Sequence, residues 1–180
     1  MIISISGTPG TGKSAVAKLL AKRMNANLLS ISSLVDKTKH SWDNGRKTKI
    51  VNVKDLQKVV RKKIVKEKIN IVEGHLSHLL DADVVIILRC NPRELKRRLE
   101  KKKWDKAKIA ENVQAEILDE ILIDAIGKHG RKNIFEIDTS RKAAEATAAA
   151  IKQILNNQKT KEYHAGKLDW SEEYKDYLIR

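Results

Sequence analysis

The stretch Gly7-Thr8-Pro9-Gly10-Thr11-Gly12-Lys13-Ser14 matches the pattern G-x-x-x-x-G-K-[ST] and follows directly on Met1-Ile2-Ile3-Ser4-Ile5. Glycines at those spacings let consecutive backbone N–H groups curl around an anion, and a helix starting at Lys13 points its positive end at the same place. In such a loop the lysine reaches the β- and γ-phosphates and the Ser14 hydroxyl ligates Mg²⁺. The spacing therefore predicts binding of a nucleoside triphosphate. An acid-x-His element, Glu73-Gly74-His75, follows the apolar run 69–72. A carboxylate at that point can hold Mg²⁺ directly or through water, and a histidine two residues on can orient water or a phosphate oxygen. A solvated strand-end acid and a structural histidine are the plainer readings. Arg98 and Lys102, four residues apart on one helix face, could neutralise charge on a transferring phosphoryl group, or belong to a basic solvated surface.

Five short apolar runs, 1–6, 28–31, 69–72, 83–88 and 133–137, have the character of strands. Helical periodicity marks 13–25, 54–67, 91–102, 106–127 and 140–156. Such alternation predicts an α/β fold, a three-layer sandwich with a five-stranded parallel sheet and helices on both faces. Asn91 before Pro92 is a helix start, because asparagine caps and proline suits the first helical position. Ligands of such sheets sit beyond the carboxyl ends of the strands, where the residues named above fall. The polar, basic stretch 36–53, with a turn signal at Asn44-Gly45, and the stretch 101–106 fit the alternation poorly and read as segments able to move over a site. The last residues, 157–180, form a distinct tail; Leu168, Trp170, Tyr174, Tyr177 and Leu178 predict a short amphipathic helix after a Ser171 cap.

At 180 residues the chain is of single-domain length, and 41% hydrophobic with 33% charged residues is ordinary globular composition. A lone cysteine, Cys90, excludes a disulfide framework and a cysteine-based zinc site. No apolar run approaches the ~18 residues of a membrane span, and the first strand leads straight into the loop, so no membrane association, no leader and a cytoplasmic location are expected. Lysine and arginine outnumber acids 37 to 23, for a net charge of +14. A lysine-rich solvated surface accounts for that excess, and so does attraction to a polyanion such as RNA; charge alone does not decide.

The loop sequence at the amino terminus, the acid-x-His element after the third strand and the Arg98-Leu99-x-x-Lys102 element before a short interruption resemble the adenylate kinase isoenzyme 6 family, and its archaeal branch in particular. The resemblance spans about residues 1–156 and implies a P-loop NTPase fold of the nucleoside monophosphate kinase type. It places Gly10, Gly12, Lys13, Ser14 and Ala15 at ATP-contacting positions, Lys102 at a lid position that touches ATP, and Lys142 near the adenine. Residues about 30–53 correspond to a monophosphate-binding arm and about 101–111 to a lid. Three residues depart from the family pattern: Glu73 replaces the usual aspartate, Lys102 an arginine, and Ser33 an acid of the arm. Lysine lacks the planar fork of arginine, so Lys102 would act on phosphate as a point charge.

The resemblance implies an enzyme that moves the γ-phosphoryl of ATP onto a nucleoside monophosphate, with AMP the expected acceptor, ATP and Mg²⁺ the cofactors, and Lys13, Glu73, His75 and Arg98 the catalytic set. It also implies a second possibility, an ATPase assisting maturation of the small ribosomal subunit through a ribosomal protein and 16S rRNA. A P-loop kinase of another small metabolite, such as shikimate, shares the loop but finds less support in the Glu73-Gly74-His75 and lid pattern.

Overall fold

The computed structural model describes residues 1–36, 38, 40–43, 48–157 and 160–178. Five strands, β1 (Ile2–Ser6), β2 (Asn27–Ser30), β5 (Asn70–Glu73), β6 (Val84–Arg89) and β7 (Ile134–Asp138), form one sheet in the order β2-β5-β1-β6-β7. Every pairing in it is parallel, so the expected sheet is present and β1, which leads into the glycine loop, is central. Parallel strands need crossovers, and helices supply them on both faces.

Alternation along the strands decides the two layers. Ile3, Ile5, Ile86 and Leu88 pack with Val16 and Leu20 of α1 (Lys13–Met24) and Ile151 and Ile154 of α7 (Ala144–Leu155). The opposite face packs Val72 against Leu56 and Val60 of α3 (Val53–Arg61), and Val85 and Ile87 against Ile121 and Ala125 of α6 (Glu120–His129). Most of the side chains buried on the two faces are apolar, and burying them supplies most of the driving force for folding.

Helices α4 (Pro92–Lys101) and α5 (Lys106–Ile117) pack on each other through Leu95, Leu99, Ile109, Val113 and Ile117. The Asn91 side chain accepts from Arg93 N at 3.1 Å and Pro92 opens α4, as the sequence predicts. The helix expected over 106–127 is instead two helices. Asp119 takes a left-handed conformation, φ 56°, and its carboxylate turns inward to pair with Arg89. The helix expected over 54–67 ends at Arg61, and the Asn70 side chain holds the following turn through Val65 N and Val65 O, each at 2.9 Å.

The stretch 36–53 contains an antiparallel hairpin, β3 (His40–Asp43) with β4 (Thr48–Val51), preceded by the short helix α2 (Ile31–Val35). The predicted Asn44-Gly45 turn lies outside the described residues. In the tail, α8 (Thr160–Tyr163) is followed by turns and one 3-10 turn, Lys175–Tyr177, where an amphipathic helix was expected. The aromatic side chains do the anchoring: Tyr174 is 2% exposed, and Trp170 and Tyr177 pack beside it on α4 and α5.

Candidate active site

The loop between β1 and α1 takes its shape from its glycines and from the strands beside it. Gly7 has φ +142°, and a Cβ there would lie 2.3 Å from Leu88 O, so only glycine lets β1 turn past β6. Gly10, at φ +100°, brings the backbone against Leu95 and Leu99 of α4. No side chain caps α1 at Gly12 and its first turn holds no acidic residue, which leaves the positive helix end available to an anion.

A cavity of about 750 Å³ opens at the carboxyl ends of β1 and β5. One wall carries Lys13, Ser14, Glu73 and His75; the arm contributes Ser32, Val35, Asp36 and Val51, and α5 contributes Lys108, Glu111 and Asn112. The Lys13 ammonium donates to Gly7 O at 2.8 Å and Thr8 O at 3.0 Å, which folds it back over the loop. Burial lowers its pKa to about 8; Glu73 and Glu116 work against that shift, and Lys102 adds to it.

Ser14 Oγ donates to Glu73 Oε2 at 3.1 Å, and Ser30 Oγ donates to Glu73 Oε1 at 2.5 Å. The strand-end carboxylate is thus buried and held by hydroxyls of two other elements rather than standing solvated. Hydroxyl and carboxylate oxygens are hard donors of the kind Mg²⁺ takes, usually one or two protein ligands completed by phosphates and water, and Ser14 with Glu73 fits that pattern. His75 keeps an exposed edge at the cavity wall. Partial loss of water in the cleft, and then the Lys13 charge, hold its pKa below the usual histidine value.

Arg98, Lys102, Lys142, Ala15 and Ser33 are not among the residues that line this cavity. Arg98 donates to Thr139 O at 2.8 Å, Ser140 O at 3.1 Å and Glu94 Oε1 at 3.0 Å, with a longer contact to Gly10 O at 3.5 Å. Its guanidinium braces the glycine loop against the segment after β7, and those bonds occupy the fork that a phosphoryl group would need. Lys102 is exposed at the end of α4, near enough to Lys13 to influence its charge, and Lys142 is exposed in the segment between β7 and α7. Ala15 is exposed in the first turn of α1. Ser33 donates to Ser30 O at 2.8 Å and faces solvent.

A family model described as an AAA domain matches residues 3–119. A protein of Methanocaldococcus jannaschii named "Putative adenylate kinase" is 38% identical over 180 residues, covering 99% of this chain and 97% of its own. A protein of the same name from Thermococcus onnurineus is 39% identical, covering 97% of this chain and 93% of its own. The chain belongs to this AAA domain family and to the archaeal branch of the adenylate kinase isoenzyme 6 family.

Among solved structures, TT1252 from Thermus thermophilus superposes with a TM-score of 0.60 at 14% identity, over 87% of this chain and 97% of that one. Shikimate kinase from Acinetobacter baumannii in complex with shikimate gives 0.56 at 16% identity, over 88% and 94%. These two share the P-loop fold with the adenylate kinase family member described here. Within its site, sequence reading missed Glu116, which touches Thr8 of the loop, and Ser30, which holds Glu73. The signal for Glu116 was present: it falls on the apolar stripe Ile109, Val113, Ile117 of α5, where a charge is costly unless paired.

Proposed function

We propose that the protein is an ATP:nucleoside monophosphate phosphotransferase, with AMP as acceptor. The observation that carries this reading is the cavity itself. It runs from Lys13 and Ser14 of the phosphate loop to Ser32, Val35, Asp36 and Val51 of the arm, which gives room for an acceptor opposite a triphosphate. In this reading residues about 30–53 form the monophosphate arm and about 101–111 the lid of a kinase domain spanning 1–156.

The γ-phosphoryl leaves the β–γ bridging oxygen of ATP and bonds to a phosphate oxygen of the monophosphate, releasing ADP. No covalent intermediate with the protein is required, so the chain's task is alignment, charge neutralisation and exclusion of water. The α1 amides and Lys13 take the β- and γ-phosphates. Ser14 and Glu73 would hold Mg²⁺, which when bound would supply neutralisation of charge on the phosphate oxygens. Gly10, Gly12 and Ala15 line the phosphates with backbone, Lys102 approaches from the lid and Lys142 from the adenine side. Arg98 keeps the loop in shape through Gly10, Thr139 and Ser140.

Incubation with ATP and Mg²⁺, with each monophosphate or none, tests the reading. Diphosphate formed only with an acceptor, AMP giving the fastest rate, supports it; phosphate release that no monophosphate changes overturns it. That second outcome is the signature of an ATPase, for which the family resemblance suggests a role in 16S rRNA maturation with a ribosomal protein. His75, open to the cavity beside Glu73 and able to orient water, is the observation favouring it, together with the +14 charge.

A further inference from the structure

Behind the phosphate loop lies a buried ionic cluster that the proposed chemistry does not use. Arg89, at the end of β6, is 2% exposed and pairs with Glu116, Asp119 and Glu136. One guanidinium among three carboxylates is an arrangement that hydrophobic replacement commonly improves, so its presence asks for a reason beyond stability. Glu116 supplies one. Its Oε1 accepts from Arg89 Nε at 2.8 Å and Cys90 N at 3.0 Å, and its Oε2 accepts from Thr8 Oγ1 at 2.5 Å. Thr8 in turn offers its carbonyl to the Lys13 ammonium at 3.0 Å and to Thr11 N and Oγ1 at 3.2 and 2.9 Å. A chain of contacts therefore runs from Arg89 through Glu116 and Thr8 to Lys13.

We propose that Glu116 is a positioning residue for nucleotide binding: held by Arg89, it fixes Thr8, and through Thr8 the loop conformation that receives the phosphates. The same residue ties the loop to the cavity wall, because Glu116 ends the helix whose earlier turns carry Lys108, Glu111 and Asn112. A shift of α5 is thus felt at the loop through the Glu116–Thr8 contact. The charge of Glu116 also favours the protonated form of Lys13, opposing the effect of burial. Four elements, β6, α5, the α5–α6 turn and β7, hold the anchor, and Gly166 N of the tail donates to Glu136 Oε2 at 2.5 Å. Rigid support of this kind is what a loop needs to keep its amides aimed at one place.

The inference rests on the triphosphate reading of the loop, and its test separates the two. Mg²⁺·ATP binding is measured by calorimetry and turnover by steady-state kinetics for wild type, Thr8→Val, Thr8→Ser, Glu116→Gln and the Thr8→Val/Glu116→Gln double variant. If wild type binds no ATP, the triphosphate reading itself fails. If it binds, loss of a hydrogen bond to a buried charge predicts that Thr8→Val weakens ATP binding about tenfold or more. The KM for ATP rises in step while kcat falls less, and Thr8→Ser, which keeps the hydroxyl, recovers most of the loss. Because Thr8 and Glu116 act through one contact, the double variant should bind no more weakly than the worse single variant. Thr8→Val, confined to the loop, keeps the question answerable even where Glu116→Gln fails to fold. Thr8→Val binding ATP like wild type, or losses that add in the double variant, would overturn the inference.

Discussion

The Ser14 hydroxyl donates to Glu73 at 3.1 Å although 59 residues separate the two in the chain. Parallel pairing of β1 with β5, in register Ile5 with Glu73, brings the end of one strand beside the loop that leaves the other. The pair is therefore a product of sheet topology, and it sets hydroxyl and carboxylate oxygens side by side on the wall of the cavity.

Replacing Glu73 by glutamine keeps the side chain's size and removes the charge, leaving one acceptor oxygen where Ser14 and Ser30 now donate to two. The expected result is a Mg²⁺ requirement raised roughly 10-fold or more, as for other changes in a metal's ligand set, with thermal stability little altered. Titrating Mg²⁺ at fixed ATP reads the change directly. An unchanged Mg²⁺ dependence would remove Glu73 from the metal site and leave it as the partner of Ser14 and Ser30 alone.

Lys13 gives a pH prediction. In the free protein burial has lowered its pKa to about 8, whereas a bound triphosphate favours the ammonium. The bound state then holds more protons than the free state, so affinity for ATP falls as pH rises through about 8. Calorimetry at that pH in buffers of different ionisation enthalpy should show proton uptake on binding. Lys13→Ala should abolish the uptake, retain the fold by circular dichroism and cost ~10²-fold or more in turnover. Turnover near wild type in that variant would mean the loop is not where chemistry occurs.

His75→Ala should impair hydrolysis of ATP more than transfer to a monophosphate. The imidazole sits at the cavity with its pKa held down, so it is neutral near pH 7 and one nitrogen can accept a hydrogen bond from water. An acceptor phosphate brings its own nucleophilic oxygen and needs no such help. Equal losses in the two assays would contradict this division.

What the sequence made legible was local, or periodic over one element. The glycine loop is a contiguous motif, and the five sheet strands and the Asn91-Pro92 helix start could be read from short windows. The hairpin β3–β4 escaped because each strand is only four residues long and Trp42, Ile50 and Val51 make no sustained apolar alternation. The break at Leu118-Asp119 has neither glycine nor proline to announce it; its cause is Arg89, 30 residues away in the chain. Thr8 and Glu116 are 108 residues apart, and no window joins them. Arg98 reads in the sequence either as a cation for phosphate or as part of a basic solvated face; its bonds to the carbonyls of Thr139 and Ser140 join residues more than 40 positions apart, and no short window shows them.

The tail offers the last test. Tyr174 is buried between Trp170 and Tyr177, with edge-to-face ring centroids at 6.4 and 5.9 Å, and the Arg93 guanidinium lies 5.5 Å from its ring centre. Its hydroxyl donates at 2.9 Å to Asn91 Oδ1, the same oxygen that caps α4. The tail therefore stabilises the helix that backs Gly10. Truncating a buried aromatic leaves a cavity, so Tyr174→Ala should destabilise the protein by about 3 kcal/mol, and Tyr174→Phe, losing one hydrogen bond, by about 1 kcal/mol. Urea unfolding of both variants measures the two values. In a protein whose Trp42 and Trp104 are replaced, Trp170 emission should be blue-shifted in the wild-type tail and move toward the solvated wavelength in Tyr174→Ala. Equal stability of wild type and Tyr174→Ala, with a fully solvated Trp170 spectrum in both, would show that the tail does not pack on α4 and α5 in solution.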